Sequence, residues 1–235
     1  MAAHGRLPFS RLSSNQWFGH DRHGRPAVSD NPLRGRFNGW LLDVLDDYMH
    51  VKYGPLKSKL FGAVPPTVVD LGAGSGANFR YFPQGTHVVA VEPNARMHAR
   101  LARNAARRGL TLQLHVAGAE ALALADPSVD LVCCSLVLCT VSAPARAVAE
   151  VRRVLRPGGR FVAIEHVAAP AGSVVAAVQR AVRRPWRWVL EGCELCNTTE
   201  AVLRGAGFRE VRIEPLHVPT VLVPIRYQIA AVCIA

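Results

Sequence analysis

Thr67-Val68-Val69-Asp70-Leu71-Gly72-Ala73-Gly74-Ser75-Gly76 is the stretch on which the fold turns. Its first half, Thr67–Leu71, is short and rich in β-branched residues, and reads as a buried strand. Its second half sets glycine at alternate positions. Glycine adopts positive φ without steric cost and has no side chain to keep a ligand from the backbone. A strand that runs into such a loop and then into a helix start presents bare backbone at the strand's carboxyl end, where open α/β sheets bind ligands.

Working outward, strands and helices alternate. His87–Val91 reads as a second strand and Pro93 to Arg108 as a helix ended by Gly109. Thr111–Val116 and Val129–Cys134 read as further strands. Ala143 to Leu155 reads as a helix that stops at Arg156-Pro157-Gly158-Gly159, and Arg160–His166 as a fifth strand. This alternation predicts a parallel sheet with helices on both faces. Upstream, residues 38–61 carry Trp40, Leu41, Val44, Leu45 and Tyr48 at helical spacing, with an interruption expected near Gly54-Pro55. Residues 1–36 are polar and turn-rich and read as a loosely packed arm.

The chain of 235 residues is long enough for one domain with a sizeable core, half of it apolar and 19% charged. The net charge of +11 invites nucleic-acid or anionic-membrane partners. The basic residues are three lysines against 25 arginines, a skew that a GC-rich coding sequence also produces, so the charge permits an anionic substrate without demanding one. No export signal and no run of about 20 apolar residues is visible. Three of the six cysteines fall in one apolar stretch, which suits reduced thiols in a cytoplasm better than a secreted disulfide framework.

The glycines alone leave two ligands open, because Gly72-x-Gly74-x-x-Ala77 also satisfies a loose dinucleotide fingerprint. Glu92 closes the second strand, where a carboxylate can accept from both hydroxyls of a ribose. Asp70 lies inside the motif, where it would favour a cationic ligand and repel a pyrophosphate. The run Arg153-Val154-Leu155-Arg156-Pro157-Gly158-Gly159-Arg160 is a junction that dehydrogenases do not typically carry.

With Glu120-Ala121-Leu122, Ser128-Val129-Asp130-Leu131-Val132 and Arg153 to Gly159 in place, the sequence resembles the class I S-adenosylmethionine-dependent methyltransferases from about Val68 to Gly207. The resemblance implies a Rossmann-like α/β/α sandwich with a seven-stranded, mostly parallel sheet, closed by strands near Phe208–Ile213 and Arg226–Ile234. It implies a domain over 37–235, with a cap helix at 37–61 and a substrate-covering insertion at 168–200. It also implies S-adenosyl-L-methionine as cofactor and S-adenosyl-L-homocysteine as product. Asp70 and the backbone of Gly72, Ala73, Gly74 and Gly76 would hold the amino-acid end, Glu92 the ribose, and Ala119 and Glu120 would lie beside the adenine. Asn78, Pro93, Ser135 and Leu136 complete that contact set. The chain departs from the family at Gly118, where an acid often binds the adenine amine, so backbone or Glu120 would have to substitute.

Within that family, Gly74-Ser75-Gly76-Ala77-Asn78-Phe79, Leu136-Val137-Leu138-Cys139-Thr140-Val141, Glu165-His166-Val167-Ala168 and Gly192-Cys193-Glu194-Leu195 resemble the mammalian alkyl-thiol methyltransferases. That subgroup is membrane-anchored, and the matching anchor is not seen here. A small thiol acceptor is therefore expected ahead of oxygen, nitrogen or carbon acceptors. His166, at the end of the fifth strand, is the candidate base. Tyr48, Tyr53, Cys139 and Trp186 are candidate acceptor contacts, with Cys139 read as a buried packing residue and not as a nucleophile. Cys193-x-x-Cys196 lacks two further ligands and has no histidine at useful spacing, so no metal site is expected.

The basic stretch around Arg180, Arg183, Arg184, Trp186, Arg187 and Trp188 reads as a lid, a membrane or single-strand contact, or a solvated helix face. A nucleic-acid substrate is disfavoured because Ser135-Leu136-Val137-Leu138 replaces the proline-rich tetrad used on exocyclic base amines. A binding protein without catalysis is disfavoured by the intact Asp70, glycines and Glu92. No pattern in the chain sets an oligomeric state.

Overall fold

The computed structural model describes residues 48–218, 220 and 222–235; the arm at 1–36 and the first part of the cap helix, Trp40 to Leu45 included, lie outside them. Within the described residues the chain forms α1 (48–61), β1 (Thr67–Leu71), β2 (His87–Val91), α2 (Ala95–Arg107), β3 (Thr111–His115), β4 (Val129–Ser135), α3 (Pro144–Val154), β5 (Leu155–His166), α4 (Val174–Val189), α5 (Thr199–Gly205), β6 (Glu210–His217) and β7 (Tyr227–Ile234). The strands form one sheet in the order β3-β2-β1-β4-β5-β7-β6, with β7 antiparallel to both neighbours and the other pairs parallel.

Alternation along the central strands makes the three layers. Val69, Leu71, Val89, Val91, Val132, Cys134, Phe161 and Ala163 pack with Val148 and Val151 of α3 and Leu203 of α5. The intervening Val68, Val88, Ala90, Leu131, Cys133 and Val162 pack with Phe61 of α1 and with Leu101 and Ala105 of α2. Strands covered on both faces need apolar side chains at successive positions, which is why β1, β2 and β4 read as continuous apolar runs. The chain turns from β1 to one side of the sheet and returns to the other side at β4, so a crevice opens between the carboxyl ends of these two strands.

Three expectations are corrected. The glycine loop leads into a single 3₁₀ turn, Phe79–Tyr81, and not into an α-helix; the Asn78 side chain is bonded on both sides, to Asp70 and Lys57, and Pro83 follows at once. The helix 48–61 runs through Gly54-Pro55 without interruption. Proline in a helix interior loses one ladder bond, and here contacts on either side of it hold the helix: His50 Nδ1 with the Tyr81 hydroxyl, and Lys57 Nζ with Asn78 Oδ1. Finally, β5 begins at Leu155, not Arg160. Leu155 pairs with Val129, Arg160 with Leu131, and Arg156-Pro157-Gly158-Gly159 loops out as an irregularity between them. Gly158 N–H donates to Ala235 O, and Ala235 N–H to Gly159 O, at 3.0 Å each, so the expected turn is stitched to the chain end.

Candidate active site

The glycine loop caps β1 at the crevice. Gly72, Gly74 and Gly76 all have positive φ (62°, 56° and 90°). A Cβ on Gly72 would lie 2.5 Å from Val137 Cγ2, and one on Gly76 would lie 2.7 Å from the Phe79 ring. At Gly74 the nearest heavy atom to such a Cβ is Gly72 O at 4.0 Å, so that side of the loop is open. Gly72 N–H and Ala73 N–H both donate to Val91 O, which fixes the loop to the end of β2.

Asp70 is fully buried beneath this loop, beside Ala90 and Cys133 of the adjacent strands. Its Oδ1 accepts from Asn78 Nδ2 at 2.8 Å and from the Cys133 thiol at 3.5 Å. Its Oδ2 has no hydrogen-bond partner among the described residues. Burial raises its pKa from 3.8 to about 6, against the pull of Asn78 and the Lys57 ammonium. An ionised, half-satisfied carboxylate in the interior is costly unless a cation reaches it. The orphaned oxygen and the side-chain-free loop above it fit the ammonium end of S-adenosylmethionine. Lys57 was not foreseen: it is buried, and its Nζ donates to Asn78 Oδ1 at 2.7 Å. Ser135 Oγ donates to the same oxygen at 3.3 Å, joining the ends of α1, β1 and β4 in one network.

Glu92 stands where expected, at the end of β2, and is nearly buried. One oxygen accepts from Gly74 N–H at 2.8 Å and the other from Asn94 N–H at 2.7 Å. Burial raises its pKa, while these two donors pull it down. A carboxylate oxygen has two acceptor lobes, so each retains capacity for a hydroxyl. Pro93 lies between Glu92 and the Asn94 that caps α2.

Of the two residues expected beside the adenine, Ala119 is buried and Glu120 is half-buried. Glu120 Oε1 is taken up by Ser142 N–H, Ser142 Oγ and Ala143 N–H at 2.9–3.3 Å, which secures the turn into α3. Its Oε2 lies 2.9 Å from where a Cβ of residue 118 would sit. The glutamate therefore fills the space that a side chain at Gly118 would occupy.

After β4, Leu136 takes a left-handed φ of 59°, a conformation rare for leucine and costly. What holds it is Glu165, which was quoted from the sequence but given no role. Its fully buried carboxylate accepts from Val137 N–H (2.8 Å), Leu138 N–H (2.9 Å), Cys139 N–H (3.3 Å) and the Cys134 thiol (3.5 Å).

The acceptor-side expectations divide. His166 is 2% exposed, with Nε2 3.0 Å from Cys193 Sγ. Cys139 is buried, with its sulfur 3.9 Å from the same Cys193 sulfur, and Trp186 Nε1 donates to that sulfur at 3.2 Å. His166, Cys139 and Trp186 therefore meet at Cys193. The spacing argument against a histidine beside Cys193 is overturned: Cys139, His166 and Cys193 bring three ligand-type atoms within 4.8 Å of one another, although they are far apart in sequence. Cys196 is not part of this group. Tyr53 is buried with its hydroxyl donating to Gln228 Oε1 and accepting from Gln228 Nε2, and Tyr48 is 38% exposed beneath Lys52. The structure does not bring either tyrosine into the cysteine group. In the expected insertion, α4 exposes its arginines and Trp188, while its buried Gln179 bonds Ala169, Val167 and Pro224. No helix among the described residues is long and apolar enough to cross a membrane.

Comparison with known proteins agrees with this architecture. Residues 69–163 match the family model described as a methyltransferase domain. The chain is 37% identical over 194 residues to a rat thiol S-methyltransferase, TMT1B, covering 78% of this chain and 80% of that one. It is 34% identical over 205 residues to the human protein of the same name, covering 83% and 84%. Among solved structures, an S-adenosylmethionine-dependent methyltransferase from Thermotoga maritima superposes with a TM-score of 0.60 at 18% identity, over 86% of this chain and 99% of its own. That likeness is one of fold. The seven-stranded Rossmann-like sheet and the extent of the sequence match make the chain a S-adenosylmethionine-dependent methyltransferase, with S-adenosylhomocysteine as the product of its cofactor. It belongs to the thiol S-methyltransferase family of the class I methyltransferases.

Proposed function

We propose that this enzyme methylates the sulfur of a small thiol. In this reading Asp70 Oδ2 receives the cofactor's ammonium, the backbone of Gly72, Ala73, Gly74 and Gly76 carries its amino-acid portion, and Glu92 takes the ribose hydroxyls beside Pro93. Ala119 and Glu120 flank the adenine, with Glu120 Oε2 in the space beside Gly118. Asn78 and Ser135 keep Asp70 in place, and Leu136 borders the methyl group.

One observation carries the choice of acceptor: neither acid–base group on the acceptor side is open to a substrate. The Glu165 carboxylate is engaged by three backbone N–H groups, and His166 Nε2 is engaged by Cys193. An alcohol would need a firm general base. A thiol with a pKa near 8.5 supplies its own thiolate at neutral pH, and in-line displacement on the sulfonium then rests on positioning. The names of the relatives point the same way. His166 thus acts in this reading through Cys193, and not as the base for the acceptor. Cys139 and Trp186 border the acceptor, and a small acceptor is expected in place of a nucleic acid. Six unpaired cysteines suit a reducing, cytoplasmic compartment.

The test compares kcat/KM for an alkyl thiol, a phenol, a carboxylate and an amine of matched size. The thiol is expected to lead by at least about tenfold, with a rate that rises with pH as the free thiol ionises. A phenol or amine turned over faster than the thiol would overturn the reading.

A further inference from the structure

Cys193 Sγ is the meeting point of three polar side chains from three segments. The Trp186 indole N–H comes from α4 at 3.2 Å, His166 Nε2 from the end of β5 at 3.0 Å, and the Cys139 thiol from the loop after β4 at 3.9 Å. Asn197 Oδ1 accepts from Thr199 N–H and Oγ1, so its Nδ2 is the atom turned back, donating to His166 O and Glu194 O and lying 3.4 Å from His166 Nδ1. Nε2 is the ring nitrogen turned toward Cys193 Sγ. The Trp186 N–H, together with a hydrogen on His166 Nε2, stabilises the thiolate of this buried sulfur. The two cysteine segments are also joined through their backbones: Glu194 N–H donates to Cys139 O at 2.7 Å. The turn before Cys193 holds Glu191 and Gly192 at φ of 46° and 101°, and a Cβ on Gly192 would sit 3.3 Å from Thr140 O.

We propose that Cys193 and Cys139 form a nucleophile and resolving pair that cleaves small organic disulfides by thiol–disulfide exchange. The Cys193 thiolate attacks one sulfur of R–S–S–R; the Cys193–S–S–R bond forms, the original S–S bond breaks, and the electron pair leaves on R–S⁻. Cys139 then attacks the Cys193 sulfur. The Cys139–Cys193 disulfide forms, the mixed disulfide breaks, and the second R–S⁻ departs with the proton that Cys139 gives up. One external disulfide is reduced to two thiols, the protein's pair is oxidised, and a small dithiol reductant restores it. The 3.9 Å sulfur separation must close to about 2.05 Å, a movement within reach of side-chain rotation in a loop. The hydrogen bond between Cys193 and Cys139 is the leading cause that lowers the Cys193 pKa to about 5, against burial and with help from His166 and Trp186. The same contact, with burial and the Glu165 charge, pushes the Cys139 pKa well up. The opposite directions make Cys193 the attacking sulfur and Cys139 the resolving one in the exchange. Glu194, next to Cys193, is paired with Arg183.

The same three ligand-type atoms could instead gather around zinc, but among the described residues they number three where a structural zinc site takes four. The proposal does not rest on the identity of the methyl acceptor, and its readout is covalent. The reduced full-length protein is treated with hydroxyethyl disulfide, quenched with acid and mapped by mass spectrometry. The expected product is a peptide pair linked through Cys139 and Cys193, reopened by dithiothreitol. Cys139→Ser is expected to stop at a 2-hydroxyethylthio mixed disulfide on Cys193, and Cys193→Ser to leave Cys139 unmodified. In the wild-type protein, which needs no variant to fold, iodoacetamide at pH 6 is expected to label Cys193 at least about tenfold faster than Cys196. Adducts on Cys196 alone, a Cys193 rate no greater than that of Cys196, or stoichiometric zinc lost with Cys193→Ser would each overturn the proposal.

Discussion

Asp70 combines complete burial, a shared Oδ1 and an orphaned Oδ2. Its native pKa, about 6, lies above the ordinary 3.8, so the folded protein holds the proton to higher pH than the unfolded chain does. The protonated form therefore favours folding. The cost of ionising the group in place grows as pH rises from about 4 to about 6 and is fully present above that. Asp70→Asn should consequently stabilise the cofactor-free protein at pH 7.5, by up to about 3 kcal/mol, while weakening S-adenosylmethionine binding at least about tenfold. In the wild type, affinity for the cofactor should fall as pH is lowered through about 6. Denaturant melts with and without the cofactor measure both effects. A destabilised Asp70→Asn that binds normally would show that the carboxylate serves the fold and not the ligand. The residue's position in a glycine motif was legible in the sequence. Its unsatisfied oxygen was not, because that depends on Asn78, Lys57 and Cys133 arriving from three other segments.

At the scale of elements, the loop after β4 depends on the end of β5. Glu165 is 26 to 28 residues from the amides it accepts, and no local pattern announces such a pairing. The run Leu136-Val137-Leu138-Cys139 takes its shape from a carboxylate on the neighbouring strand and from Leu136 in the left-handed region. Glu165→Gln keeps one acceptor oxygen and puts an NH₂ against backbone donors. It should cost about 2–4 kcal/mol of stability and lower methyl transfer more than cofactor affinity, read by thermal melts and initial rates. A variant as stable and active as the wild type would remove Glu165 as the support of the loop. The strands β1 and β2 were legible to the residue, because burial on both faces leaves an unbroken apolar run. The helix expected after Gly76 was not formed, since the side chain of Asn78 is tied inward where a helix would continue. The bulge at Arg156 to Gly159 was misread as a plain turn because its partner is Ala235, at the other end of the domain.

Across the whole molecule, the proposed site has two halves of different legibility. The cofactor half is built by β1, β2 and the loops that follow them, close in sequence, so its motif could be read directly. The acceptor half gathers Cys139, His166, Trp186 and Cys193 over 54 residues, and only the sheet order and the fold of α4 bring them together. Tyr53, a candidate from its place in the expected cap helix, is hydrogen-bonded to Gln228 of β7. What the acceptor half does with the methyl group therefore decides the function. The most direct measurement offers the enzyme 2-mercaptoethanol, which carries a thiol and a hydroxyl on one small molecule, together with S-adenosylmethionine bearing a deuterated methyl. Mass spectrometry and NMR of the product then locate the label. Deuterated methyl on sulfur, with the hydroxyl unchanged, is the predicted result; label on oxygen, or no transfer while the cofactor still binds, would contradict it.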